Sequence, residues 1–374
     1  MTTITPAPQP QSAPRPASRR AKVAVLYTSP RTVVEDYGRL MRLADVDKHL
    51  VAAAPTILKV NISWQKWFPA CSTTPWQLEG AIRALRSLGH SEMYACHNST
   101  VVVDSHEGEV ANKQKPVCDK YNVPDVHLED VKWIRYQPKG EMLVLNKIFP
   151  EGIHIPEFLV GKNIVHLPTM KTHVFTTTTG AMKNAFGGLL SHRRHWTHSV
   201  IHETLVDLLT IQKEIHPGLF AVMDGTLAGD GPGPRAMRFH VKNVILASAD
   251  QVAIDAVAAK IMGFDPMKQK FIRLAHERGL GCGDPRQIDI VGDSIEGVDW
   301  KFRGNEETFA SRGQKMIYWG PLKPLENLLL RSPIVPWAFL ASNLYFNAFW
   351  YNLVGRRRVK QALETPWGKL FQTY

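Results

Sequence analysis

The chain has only four cysteines in 374 residues, Cys71, Cys96, Cys118 and Cys282, and no two of them form a CxxC pair. That spacing excludes a locally encoded zinc ribbon or ferredoxin-type cluster module. It does not suit a disulfide framework either, so reduced thiols in a cytoplasmic setting are expected. No GxxxxGK[ST] loop and no GxGxxG loop occurs, which removes the two commonest nucleotide-binding signatures. Basic residues are not gathered into runs, RRRVK at 356–360 excepted. Without a basic surface interleaved with aromatics, nucleic acid is not the expected partner. The first 20 residues, MTTITPAPQPQSAPRPASRR, contain no acid and no apolar core. They do not read as a secretory signal, and their five prolines predict a disordered tail over 1–20.

What is present points to a globular protein with an anionic partner. Apolar residues make up 44% of the chain and the net charge is +11, a balance that favours a small anion, a membrane surface or another polyanion. AKVAVLY (21–27), ILKVNIS (57–63), EMYACHN (92–98), MLVLNKIF (142–149), NIVHLPT (163–169), LFAVMDG (219–225) and IDIVGD (288–293) read as strands. Between the second and third lies TTPWQLEGAIRALRSLGH, a helix with a capping Thr74, Pro75 at its first position and Gly89 at its stop. HSVIHETLVDLLTIQKEI (198–215), SADQVAIDAVAAKIMGF and MKQKFIRLAHERGLG read as further helices. Strands alternating with helices predict an α/β core over 21–300, its sheet mostly parallel or mixed and flanked by helices.

The stretch VHLPTMKTHVFTTTTGAMKNAFGG (165–188) holds Lys171, His173, four consecutive threonines, Lys183 and Asn184, and no acid. Such a set suits the wall of a phosphate or carboxylate pocket. A self-satisfied polar loop is the plainer alternative. SHRRHWTHSVIHE follows. Its His192, His195, His198 and His202 would share a helix face. They read as an anion contact with Arg193 and Arg194, as a divalent-metal site completed by Glu203, Asp207 or Asp224, or as structural histidines. In MDGTLAGDGPGPR, Asp224 is expected at a strand tip beside a glycine loop. Asp250 is expected to cap a helix. Asp255 sits on an apolar helix face and needs a partner, for which Lys171 or Lys183 are natural. Cys282 lies in the glycine-rich turn GLGCGDP.

The order of these blocks resembles the family known as domain of unknown function 362, over roughly residues 55–293. Lys59 and Asn61 match its early Lys-x-Asn. Lys171, His173, Thr179, Gly180, Lys183 and Asn184 match its Lys-x-His and Thr-Gly-x-x-Lys-Asn. Asp224, Gly225, Gly229, Gly231 and Pro232 match its Asp-Gly loop, and Asp250 with Asp255 its acid pair. The resemblance implies one pocket that gathers Lys59, Asn61, Lys171, His173, Lys183, Asn184, Asp224 and Asp255. Some members carry a ferredoxin-like module with two four-iron clusters, whose cysteine runs this chain lacks.

The C-terminal extension, 301–374, differs in character. From 333 to 355 it runs PIVPWAFLASNLYFNAFWYNLVG without a charge and then meets RRRVK. Length permits a membrane span. Its three asparagines and its aromatics better suit an aromatic-rich helix lying on a membrane surface, or packing on the protein's own core or a second copy. Three functions therefore stay open: an enzyme for a small anionic metabolite or cofactor precursor, with or without a divalent metal; a redox or iron–sulfur protein; and a binding or assembly factor docked through 333–360.

Overall fold

The structure is a computed structural model that describes residues 20–100, 103–304, 306–326, 328 and 344–374. Strands β1 (Ala21–Tyr27), β2 (Thr56–Val60), β3 (Met93–His97) and β4 (Asp125–His127) belong to a ten-stranded mixed sheet. β5 (Trp133–Tyr136) and β6 (Ile153–Pro156) form a separate antiparallel pair. β7 (Asn163–Leu167), β8 (Thr169–His173), β9 (Thr177–Thr178), β10 (Leu219–Asp230), β11 (Arg238–Ser248) and β12 (Ile288–Gly292) complete the large sheet. Its order is β12-β1-β11-β10-β7-β2-β3-β4, with β8 beside β10 and β9 beside β8. From β10 to β4 the main path is parallel. The antiparallel pairs flank β11.

β2 (TILKV) and β7 (NIVHL) are buried at every position. Their continuous β-branched and apolar character is that of parallel strands covered on both faces. Alternation sorts neighbouring side chains into two cores. Val23, Val25, Ile57 and Ile164 pack with helices Ile201–Ile215 and Gln251–Met262. Ala24, Leu26, Leu58 and Val165 pack with helices Val33–Leu43 and Pro75–Ser87. The second of these begins where sequence places it: Pro75 opens it, Gln77 Oε1 accepts from Thr74 N–H at 3.4 Å, and Gly89 follows its end with φ +88°. Asp250 caps helix Gln251–Met262 by accepting from Val252 N and Ala253 N.

Three expectations change. Residues 142–149 do not form a strand but contain the short helix Leu145–Ile148. The N–H groups of Leu143, Val144 and Leu145 all donate to the Asp207 carboxylate, at 2.7–2.9 Å, and this apolar run folds round a buried acid instead of pairing. Helix 198–215 starts at Ile201, because His192–Val200 winds as a 3₁₀ run. Asp224 is no strand tip. β10 continues to Asp230 because β8 extends β7 alongside it, pairing Asp224 with Thr169 and Gly229 with Lys171.

The C-terminal residues pack onto the second core. Trp367 lies 5.2 Å from Trp76, Phe371 stacks on Trp67 at 4.4 Å, and Trp350 lies 6.1 Å from Trp64. Of the expected segment 333–355, residues 344–355 form a π-helical run, and 333–343 lie outside the described residues, as does the expected tail up to residue 19. No helix among the described residues is long and apolar enough to cross a membrane.

Candidate functional site

Parallel strands bring their carboxyl ends to one edge, and polar side chains at that edge face a common space. Lys59 and Asn61 come from the end of β2, Lys171 and His173 from β8, and Thr179 to Asn184 from the turn and short helix that follow. Apart from Lys59, which does not line the pocket, the polar residues among these meet. Asn61, Ser63, Thr169, Lys171, His173, Thr179, Gly180, Lys183 and Asn184, with Pro168 and Pro234, line a narrow pocket of about 60 Å³. No acid lines it.

Lys171 Nζ is held by neutral oxygens: Asn61 Oδ1 at 2.8 Å, Ser63 Oγ at 3.1 Å and the Cys71 carbonyl. Lys59 Nζ donates to the Val60 carbonyl at 2.8 Å. Lys183 Nζ lies 5.4 Å from the centre of the Phe186 ring. None of the three pairs with a carboxylate among the described residues, and Arg194 donates only to the Ser99 carbonyl, at 3.2 Å. Burial lowers Lys59 and Lys171 to about 8. It lowers Lys183 further, to about 7, with the charges of Lys171 and Arg194 adding to the effect. Burial also holds His173 well below its ordinary value, so its ring is neutral. His173 Nδ1 accepts from Phe175 N–H at 3.1 Å, which leaves the ring proton on Nε2.

Asn184 Nδ2 donates to the Lys59 carbonyl at 2.8 Å, tying the turn to β2. Its Oδ1 is buried and has no donor. The threonines are largely self-satisfied. Thr176 Oγ1 donates to Thr178 O, Thr178 Oγ1 to Gln269 Oε1, and Thr179 Oγ1 to Thr169 O. The double glycine serves a lysine and not a ligand: a Cβ on Gly188 would sit 3.2 Å from Lys59 Cε and 2.6 Å from Leu128 Cδ1.

The two aspartates have other work. Asp255 does not reach Lys171 or Lys183. Its carboxylate accepts from Ala181 N at 2.6 Å and Met182 N at 3.0 Å, and so sets the start of the helix that carries Lys183. A Cβ on Gly180 would fall 2.2 Å from Asp255 Oδ1. Asp224 is fully buried and does not line the pocket. It accepts from Tyr37, Thr74, Trp76 and Thr226 through five bonds of 2.7–2.8 Å. That saturated carboxylate locks helices to sheet and has no bond to spare for a metal. Gly229 and Gly231 support β8 from behind: Gly229 lies against Lys171 Cβ, and the Gly231 carbonyl accepts from Thr172 Oγ1 at 2.7 Å.

Arg193 and Arg194 border a larger cavity of about 470 Å³ with Asn98, Ser99, Glu129, Trp133, His154 and Gly188. Arg193 is exposed and pairs with Glu151 at 3.2 Å. Among the described residues, His195, His198 and His202 do not assemble with Asp224 into a metal site. His198 Nδ1 meets the His195 carbonyl at 3.1 Å and its ring lies flat on Tyr318, while His202 lies against Phe271. None of the four free cysteines joins a metal-capable cluster among the described residues. Among the described residues the metal-capable groups are instead His97, Glu109, Asp125 and His127, and an outer, more exposed set that shares His127, with His106 and Glu129. Sequence spacing gave no sign of the first, because only the pairing of β3 with β4 brings residues about thirty positions apart together.

No solved structure matches the chain. The Thylakoid-associated protein sll1697 of Synechocystis sp. is 31% identical over 110 residues, which is 28% of this chain and 33% of that relative. The match therefore spans a third of the relative's length. The model of the family described as Domain of unknown function (DUF362) matches residues 56–260, a span that holds every lysine of the pocket. The chain belongs to the DUF362 family.

Proposed function

We propose that the protein is an enzyme that binds a small anionic metabolite or cofactor precursor by its phosphate or carboxylate group and moves a proton on it. The observation that carries this reading is the buried pair Lys171 and Lys183 in a pocket that no acid among the described residues lines. Buried charges are ordinarily paired, and a cationic pocket without an acid is completed by an anion. Lys171 holds the anionic group. Asn184 Oδ1, buried and undonated, accepts from a ligand O–H or N–H. Lys183, at about 7, exchanges its proton near neutrality and is the general acid–base. His173 is the neutral donor beside it. A thermal-shift and native mass-spectrometry screen of phosphorylated and carboxylated metabolites tests the reading. Binding by wild type and its loss in Lys183→Met are expected, and equal affinity in both proteins would sink it.

A separate observation bears on where the protein acts. Leu344, Phe349 and Leu353 are 57–64% exposed, and the exposed Arg356 and Arg357 follow them. We infer that this face rests peripherally on an anionic lipid surface, apolar side chains in the interface and arginines at the phosphates. The printed name of the Synechocystis relative, a thylakoid-associated protein, supports the reading. Co-sedimentation with phosphatidylglycerol vesicles that persists in the double variant Phe349→Glu, Leu353→Glu would refute it.

A further inference from the structure

A second buried cluster lies outside the pocket, between β3, β4 and the helix Ser105–Ala111. His97 closes β3, Asp125 and His127 bracket β4, and Glu109 comes from the helix. Pairing sets His97 directly opposite His127, their rings edge to face at 4.3 Å. His97 Nε2 lies 2.8 Å from Glu109 Oε2 and 2.8 Å from Asp125 Oδ1. His127 Nε2 lies 3.3 Å from the same Glu109 oxygen. One donor atom from each residue falls within 4.8 Å of all the others.

Protons alone do not satisfy this arrangement. His97 is 2% exposed and Glu109 6%. A single Nε2–H shared between two carboxylate oxygens serves neither at full strength. Glu109 Oε2, Asp125 Oδ1 and His97 Nε2 are all buried without a hydrogen bond of acceptable geometry. Among the described residues no lysine or arginine forms an ion pair with the four, since nearby Lys115, whose charge reaches Glu109 and Asp125, bonds to Asp119. Two carboxylates, Glu109 buried and Asp125 half-buried, thus face each other and two imidazoles, and their combined negative charge calls for a cation.

We propose that His97, Glu109, Asp125 and His127 bind one divalent first-row transition ion of the zinc type. Two carboxylates neutralise a dication, and two neutral imidazoles supply the softer donors that Mg²⁺ and Ca²⁺ do not favour. Four protein donors fill a tetrahedral shell and leave no open position, the pattern of a structural site. The next layer fits the same role. His127 Nδ1 lies 3.1 Å from Ser105 Oγ and 3.9 Å from Glu129 Oε1, where a second ring nitrogen is ordinarily fixed. Glu129 Oε1 in turn accepts from Ser99 N at 2.9 Å, and Arg194 donates to the Ser99 carbonyl. The ion pins β4 and the helix to β3 and so braces the wall of the larger cavity, which carries Ser99, Glu129 and Arg194.

The test uses the full chain, dialysed against a chelator and titrated with Zn²⁺ alone by calorimetry and thermal unfolding. One Zn²⁺ per chain is expected, with a rise in Tm that chelator reverses and that equimolar Mg²⁺ does not give. Glu109→Gln and His97→Gln should each weaken Zn²⁺ by more than the roughly 10-fold that an outer-layer change costs. His106→Ala, which removes the exposed ring stacked on His127 and breaks the outer set of His106, His127 and Glu129, should keep wild-type affinity, because the ion sits in the inner set. A wild-type Tm unmoved by Zn²⁺ overturns the proposal whether or not the variants fold. So does wild-type affinity in either cluster variant, or loss of binding in His106→Ala.

Discussion

Anion binding to this pocket should take up protons, and the sign follows from the lysines. In the free protein Lys183 titrates near 7 and Lys171 near 8, because burial disfavours their charged forms. A bound anion stabilises the ammonium and raises these values. Binding therefore favours the protonated pocket and weakens as pH rises through the free-state values. If a bound anion restores Lys183 to the ordinary lysine value of ~10.4, affinity drops about fivefold between pH 7 and 8 and nearly tenfold more by pH 9. Lys171 steepens the fall above pH 8. The assay is calorimetry with sulfate, whose charge is constant over this range, in buffers of differing ionisation enthalpy. At pH 8, Lys183 alone should account for uptake of close to one proton per anion, and Lys183→Met should lose that proton. Affinity flat from pH 7 to 9, or uptake unchanged in the variant, refutes the assignment.

The remaining predictions separate binding from support. Lys183→Met, which replaces an unpaired buried cation by an apolar chain of similar length, should raise the Tm of the ligand-free protein by a few degrees, since about 1 kcal/mol moves a domain of this size by ~2–4 °C; a lower Tm in a thermal scan counts against the unpaired-charge account. Asp224→Ala leaves Tyr37, Thr74 and Trp76 without their shared acceptor and should cost about 3–5 kcal/mol in urea unfolding. The fraction that stays folded should still bind anion, and selective loss of binding would return Asp224 to the site. Gly180→Ala drives a Cβ into Asp255 at a φ of +148° and should cost about 1–3 kcal/mol with weaker anion binding, because the helix that aims Lys183 shifts. Trp367→Ala should lower stability by about 3–5 kcal/mol, and a near-neutral effect would show that the C-terminal helices are not part of the second core.

Much of this architecture was legible because local pattern and tertiary pairing agree. The mostly apolar, β-branched β2 and β7, and the Thr74–Pro75 to Gly89 helix between β2 and β3, announce parallel units. Parallel units bring Lys59, Asn61, Lys171 and His173 to one edge, which is why a stretch without acids could be read as a pocket wall. The aspartates were legible as buried acids but not by partner. Asp224 draws its donors from Tyr37, Thr74 and Trp76, about 150 residues or more away. Asp255 found backbone N–H groups where a lysine was expected. The strand expected at 142–149 failed for the same reason, since the reach of Asp207 is not written in that run. Histidine spacing misled: His195, His198 and His202 repeat along the chain, whereas the histidines that converge, His97 and His127, meet only through strand pairing.

The most direct test of the central claim is a crystal structure of the full chain grown with tungstate, located by its anomalous signal. The account predicts a peak in the narrow pocket within hydrogen-bonding reach of Lys183 Nζ, and its disappearance in Lys183→Met. An empty pocket with tungstate bound elsewhere, or a peak that survives the substitution unchanged, would contradict it.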